Sequence, residues 1–278
     1  MPENTPTTAP PLRIGVAACA GRMGRAIMTA AVVAPHCALA GASQYPGHAA
    51  VGKDAGALAG AAPLGVVVDA DPSDMMSKSG VVIDFSTPEA TLAHLRAACA
   101  TQTPMVIGTT GLSAAQQDRI AEAAADIAII AAPNMSVGGN ILAGATERLA
   151  AMLGTDYDIE VVGFQHRHKV DAPSGTSLAL AQAAARGRGV PPETIGATPR
   201  DGHTGPRPVG QIGIATIQGG DVTGEHRVVI ATDGERLELA HKPAHRGVYA
   251  AGAVRAACWL HGRPPGLYTM AEVLELTA

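Results

Sequence analysis

Short apolar runs recur along the first half of the chain, separated by stretches of helical spacing. Leu12 to Ala18 reads as a buried strand, followed by small residues up to Gly24 and a helix from Arg25 to about Ala34. Cys37 to Ser43 is a second strand, and Gly65–Asp69 and Val81–Phe85 are the next apolar runs. Ser86-Thr87-Pro88-Glu89 is a capped helix start with proline in its first turn, and that helix reaches about Thr101. Met105–Ile107 is a strand, Gly108-Thr109-Thr110-Gly111 its loop, residues 113–125 a helix and Ile127–Ala131 a strand. Strand alternating with helix predicts an α/β fold of Rossmann type, with a doubly wound parallel sheet.

The pattern changes after Met135. Ser136 opens a helix reaching about Met152; strand Tyr157–Phe164 and a helix from Ser177 follow. Residues 187–208 are loop-like. Three strand-like runs, Gly210–Gln218, Asp221–Thr232 and Arg236–Lys242, are joined by Gly219-Gly220 and Asp233-Gly234 turns. This predicts a second, α+β domain with a mixed or antiparallel sheet, whose exposed face favours self-association. Gly247 to His261 is a last helix returning to the first domain.

Two stretches carry candidate chemistry. Ala18 to Gly24, between strand and helix and about 20 residues before the second strand's end, has the context of a dinucleotide loop. Its small residues let the backbone approach a pyrophosphate at a helix N-terminus. The second strand ends in Ser43-Gln44-Tyr45, with no carboxylate for the ribose hydroxyls of NADH, and Arg22 can face a 2′-phosphate. The cofactor is therefore NADPH or NADH, leaning to NADPH. Ligands bind at the carboxyl ends of parallel strands, which gathers Phe85, Ser86, Gly108, Thr110 and Pro133 around one crevice. The other stretch runs from Phe164 to Thr176. His166, His168 and Lys169 precede Pro173-Ser174-Gly175-Thr176, a turn whose hydroxyls, backbone N–H groups and helix N-terminus can converge on an anion. That suits an acidic small molecule.

Composition narrows the classes. A net charge of −4 and the absence of a basic run beyond this cluster argue against nucleic acid and against an anionic membrane. No apolar run reaches spanning length. Cys19, Cys37, Cys99 and Cys258 read as buried free thiols in a reducing, cytoplasmic setting, and no metal site is expected. Residues 1–11 read as a disordered tail. His36, His48 and His94 read as surface or loop residues without a special role, and His203 lies in a Gly-Pro-rich loop that could reach the site.

The motifs together resemble one family, the 4-hydroxy-tetrahydrodipicolinate (dihydrodipicolinate) reductases of the lysine and diaminopimelate pathway. The resemblance rests on Gly21-Arg22-Met23-Gly24-Arg25, Asp84 to Ala90, Gly108 to Gly111, Asn134 to Gly138, His166 to Thr176, Gly219-Gly220-Asp221 with Gly224-Glu225-His226, and Pro264 to Tyr268. It implies NAD(P)H reduction of a cyclic unsaturated imine dicarboxylate by a homotetramer. It also implies a cofactor domain of residues 12–135 and 246–278 around a substrate and oligomerisation domain of residues 136–245. By position, His166, Lys169, Ser174, Gly175, Thr176 and Arg246 would hold substrate, with His166 and Lys169 taking part in catalysis. Ala18, Gly21, Arg22, Met23, Gly24, Gln44, Phe85 and Ser86 would hold the cofactor, with Gly108, Thr110, Pro133 and Met135 lining its nicotinamide.

The chain departs from the family pattern at marked places. Gln165 stands at the proton-donor position, where histidine is expected, and a carboxamide is no general acid near neutral pH. Gly163 replaces a glutamate, Ala18 the first loop glycine, Gln44 and Tyr45 the ribose readers, and Gln218 an arginine. Three readings stay open. The first is the pathway reductase with a rearranged donor. The others are a paralogue acting on a related cyclic imine or enamine acid, and a non-catalytic nucleotide-binding relative.

Overall fold

The computed structural model describes residues 10–196 and 202–276. Nearly all of the expected tail, and part of the expected loop 187–208, lie outside the described residues. Two compact units emerge. One runs to Ala132 and takes in Ala250–Thr269; the other is Pro133–Tyr249 with the chain from Met270 on.

The first unit alternates β1 (Leu12–Ala17), α1 (Arg22–Val33), β2 (Cys37–Ser43), α2 (Ala55–Leu58), β3 (Val68–Asp69), α3 (Pro72–Ser77), β4 (Val81–Asp84), α4 (Pro88–Thr101), β5 (Met105–Ile107), α5 (Ala114–Ala123) and β6 (Ala128–Ala131). The strands are near-continuous apolar runs, as a sheet covered on both faces requires. They pair in parallel in the order β3-β2-β1-β4-β5-β6, the dinucleotide-binding order, with the chain switching sides between β1 and β4. A seventh strand, taken up below, lies beside β6. Thr87 caps α4 and Ser113 closes a capping box on α5, fixing where each helix leaves its loop. Met75, Met76, Met105, Ile107 and Ile129 form the buried centre between sheet and helices.

The second unit contains α6 (Val137–Leu153), β7 (Asp158–Gln165), α7 (Gly175–Arg188), β8 (Ile195–Gly196), β9 (Ile212–Gln218), β10 (Glu225–Thr232) and β11 (Glu235–His241). Its sheet runs β11-β10-β7-β9-β8 and is mixed: β7 is parallel to β9 and antiparallel to β10. Ile159, Val161, Leu180, Ala184, Ile212 and Val228 pack between the sheet and the α6–α7 pair. Ile217 and Leu237 remain 52% and 41% exposed. The chain then forms α8 (Gly247–Leu260), β12 (Gly266–Tyr268), which adds in parallel to β6, and α9 (Met270–Val273).

Several expectations are corrected. Helix α1 begins at Arg22, three residues early, because Gly24 belongs to the helix: a Cβ there would stand 2.4 Å from the Ala18 carbonyl oxygen. Helix α7 begins at Gly175 because Ser174 is its cap. Gly219-Gly220 is no hairpin turn, since β7 lies between β9 and β10. Of Gly65–Asp69 only Val68–Asp69 is strand. The chain from Met270 belongs to the second unit, where Leu276 packs beside Gly144. The thiols are not uniformly buried: Cys19 is, Cys37 and Cys99 are half-buried, Cys258 is exposed, and the Cys37 and Cys258 sulfurs lie 3.4 Å apart.

Candidate active site

In the first unit the expected cofactor residues gather at the carboxyl ends of the parallel strands. β1 delivers the chain into a turn in which Ala18 takes a left-handed φ of 50° and Gly21 N–H donates to Ala18 O. Gly21 caps α1 without a side-chain hydrogen bond, so the helix's first N–H groups face outward and can cradle an anion. Gly24 lets α1 sit directly on that turn. Arg22 is exposed and Met23 half-buried at the same end. Gln44 follows β2; its N–H donates to the Asp69 carbonyl. The Asp69 carboxylate, one strand over, is paired with Lys78 at 2.8 Å, a carboxylate that the reading of the second strand's end did not weigh.

After β4 and β5 the loops are tied together. The buried Asp84 carboxylate accepts the Ser86 N–H at 2.9 Å and contacts His94 Nδ1 at 3.2 Å. His94 is therefore a partner of a buried charge, not an idle surface residue. Thr91 donates to Thr109 Oγ1 at 2.8 Å, which also takes the Ser86 N–H. The Phe85 ring covers Gly108, and Thr110 is exposed at the loop tip.

Pro133 and Met135 belong to the second unit. The Met135 side chain is 1% exposed and lines no surface. Pro133 stands beside Gly175, and Asn134 Nδ2 donates to Thr176 Oγ1 at 3.1 Å. Ser174 caps α7: its hydroxyl accepts the Ser177 N–H at 3.1 Å and is only 6% exposed. It faces inward, against the expectation that it would point at an anion. The N–H groups of Gly175 and Thr176 follow it in the first turn of the helix, where an α-helix has no internal acceptor to offer.

Lys169 is held from two sides. Its ammonium meets both Asp171 oxygens, at 2.8 and 2.9 Å, and Gln218 Nε2 donates to its carbonyl at 2.8 Å. The lysine holds the Asp171 carboxyl below its ordinary value, with His166 a further cationic influence. His166 Nδ1 is buried without a hydrogen-bond partner. Gln165 is buried, its amide nitrogen 3.2 Å from His226 Nε2. His226 also lies 2.9 Å from Ser174 Oγ, and burial pushes its pKa down to about 4. Sequence reading missed it, although it closes the Gly224-Glu225-His226 motif. Arg246, half-buried just before α8, acts electrostatically on Tyr249. His203 is exposed. Among the described residues no group of three or more His, Cys, Asp or Glu could hold a metal, and no helix is long and apolar enough to cross a membrane.

Residues 12–135 match the model for the N-terminus of dihydrodipicolinate reductase and residues 138–274 that for its C-terminus. The chain is 50% identical over 263 residues to the 4-hydroxy-tetrahydrodipicolinate reductase of Magnetococcus marinus, covering 95% of this chain and 98% of that protein. It is 47% identical over 265 residues to the protein of that name from Thiobacillus denitrificans, covering 95% and 99%. A dipicolinate-bound dihydrodipicolinate reductase from Paenisporosarcina sp. TG-14 shares the fold, with a TM-score of 0.73 at 21% identity over 94% of this chain and 98% of that one. With matches along almost all of its length, the chain belongs to the dihydrodipicolinate reductase family.

Proposed function

We propose that this protein uses NAD(P)H to reduce 4-hydroxy-tetrahydrodipicolinate, or its dehydrated form dihydrodipicolinate, to tetrahydrodipicolinate in lysine and diaminopimelate biosynthesis. The observation that carries the reading is the pairing of an ammonium with an open helix N-terminus: Lys169 stands just ahead of the cis Ala172-Pro173 bond and the Ser174 cap. A dicarboxylate supplies the two anionic groups that such donors need. The open end of α1, with Gly24 seated on Ala18, suits a dinucleotide pyrophosphate. The bound cofactor supplies hydride. Lys169, Gly175, Thr176 and Arg246 hold the substrate's carboxylates, and His166, with Nδ1 unpartnered, donates the proton that follows. Gln165 cannot, since a carboxamide is no acid at neutral pH.

NADPH binds at least as tightly as NADH, because Gln44 offers the ribose no carboxylate and Asp69 is engaged by Lys78. The open sheet face carrying Ile217, in register with Phe164, serves self-association into a homotetramer, and the enzyme works in the cytoplasm. A second reading, a paralogue reducing a related cyclic imine acid, is favoured by Gln165 alone. The test is oxidation of NADPH and NADH with freshly generated substrate, alongside calorimetric titration of both cofactors. Rapid turnover with small cofactor discrimination supports the reading. No turnover, with intact cofactor binding, favours the paralogue. A strong NADH preference overturns the cofactor assignment.

A further inference from the structure

At the end of β7 four polar side chains meet in a buried cluster. Ser174 Oγ accepts the Ser177 N–H, lies 2.9 Å from Ser177 Oγ, and lies 2.9 Å from His226 Nε2. The same ring nitrogen is 3.2 Å from the Gln165 amide. A hydroxyl has one proton and two acceptor sites. One acceptor site takes the Ser177 N–H; the remaining site and the proton are shared between Ser177 Oγ and His226. His226 Nε2 is thus the vertex joining the side chain at position 165 to the cap of α7. His226 is 4% exposed, and because the Gln165 amide nitrogen can only donate, Nε2 must accept: the ring is neutral, with its proton on the unpartnered Nδ1. The backbone makes room for this cluster. His226 is in register with Gly163, and a Cβ on Gly163 would come within 2.5 Å of Ser177 Oγ.

We propose that His226 is a positioning residue that fixes the anion-binding end of α7 and the side chain at position 165 as one unit. This rests on the reading that the α7 N-terminus holds the substrate's carboxylate. The Ser174 side chain caps that helix, and a lost cap lets the first turn fray, moving the N–H groups of Gly175 and Thr176. His226 touches no reacting atom in this scheme; it acts through Ser174 and Gln165.

The test uses the full chain and pyridine-2,6-dicarboxylate, a flat dicarboxylate probe, with NADPH titration as a control for folding. His226→Leu keeps an apolar fill but removes the vertex, and it should weaken the dicarboxylate about tenfold, the effect of one lost hydrogen bond. It should also raise KM more than it lowers kcat and leave the Kd for NADPH unchanged. His226→Gln places an amide where Nε2 stands and should recover affinity to within about threefold. His226→Asn reaches only the Nδ1 position and should resemble the leucine variant. This graded rescue separates positioning from packing, which would rank leucine best. Equal dicarboxylate affinity in wild type and His226→Leu, or equal rescue by asparagine and glutamine, overturns the proposal. Failure of the wild type to bind any dicarboxylate overturns the functional reading instead.

Discussion

Lys169 and Asp171 make opposite predictions from one contact. The ammonium sits 2.8 and 2.9 Å from the two Asp171 oxygens, and the lysine side chain is 19% exposed while the aspartate's is 66% exposed. A substrate carboxylate must compete with Asp171 for the same protons. A charge-assisted hydrogen bond is worth about 1.5–3 kcal/mol, so Lys169→Ala should weaken pyridine-2,6-dicarboxylate roughly 10- to 150-fold. The ion pair it replaces is solvent-exposed and worth only about 0.2–1 kcal/mol. Asp171→Asn removes both the competitor and a negative charge near an incoming dianion, and it should tighten binding about two- to fivefold. The gain should shrink with added salt, because the charge is open to solvent. Calorimetric titration of wild type and both variants at neutral pH, with NADPH present, measures the pair. Cofactor affinity should not move. Loss of affinity in Asp171→Asn would show that the aspartate orients the lysine instead of competing for it, and unchanged affinity in Lys169→Ala would refute the placement of the carboxylate.

His166→Gln should lower kcat by about 100-fold or more, as loss of a general acid does, and Gln165→His on that background should restore part of it, read by steady-state kinetics on one substrate preparation. No loss in the single variant would mean that the proton comes from elsewhere. Gly163→Ala should cost about 1–3 kcal/mol by overpacking against Ser177 Oγ, and a Ser177→Ala background should relieve it; additive losses in a double-mutant cycle of thermal melts would contradict that contact. Burial, with His241 and Lys169 adding to it, lowers His226 from 6.5 to about 4. The unfolded chain takes up this proton first, so the stability held by the neutral ring is full above about pH 6.5 and is lost as pH falls towards 4, by about 3 kcal/mol at most. Urea midpoints at pH 4.5 and 7.5 should differ less in His226→Gln than in wild type; an equal difference would assign the acid sensitivity to other groups.

The parallel sheet was legible because each strand is a short apolar run flanked by turn residues, and Cys37–Ser43 and Met105–Ile107 end where the pattern ends. Helix starts were less legible. Gly24 looks like loop in sequence, yet it is helical because only a residue without Cβ allows α1 to meet Ala18. The separation of β9 from β10 was hidden for another reason: two neighbouring strands and a Gly-Gly link describe a hairpin equally well, and only the pairing of both with β7 tells otherwise. In the site, the cationic cluster was readable from its charges. The inward turn of Ser174 and the part played by His226 were not, because they depend on β10 meeting β7 across 61 positions of sequence.

The position of β12 bears on how the chain comes to be folded at all. The strand at the edge of the first sheet is formed by Gly266–Tyr268, and it pairs with β6, made more than 130 residues earlier. While the ribosome is still producing the second unit, β6 therefore waits with an open flank, a template for unwanted pairing with another nascent chain. Closing that flank is left to a strand made long after it, and truncation after residue 265 should yield protein prone to aggregate even though every residue of the candidate site is present.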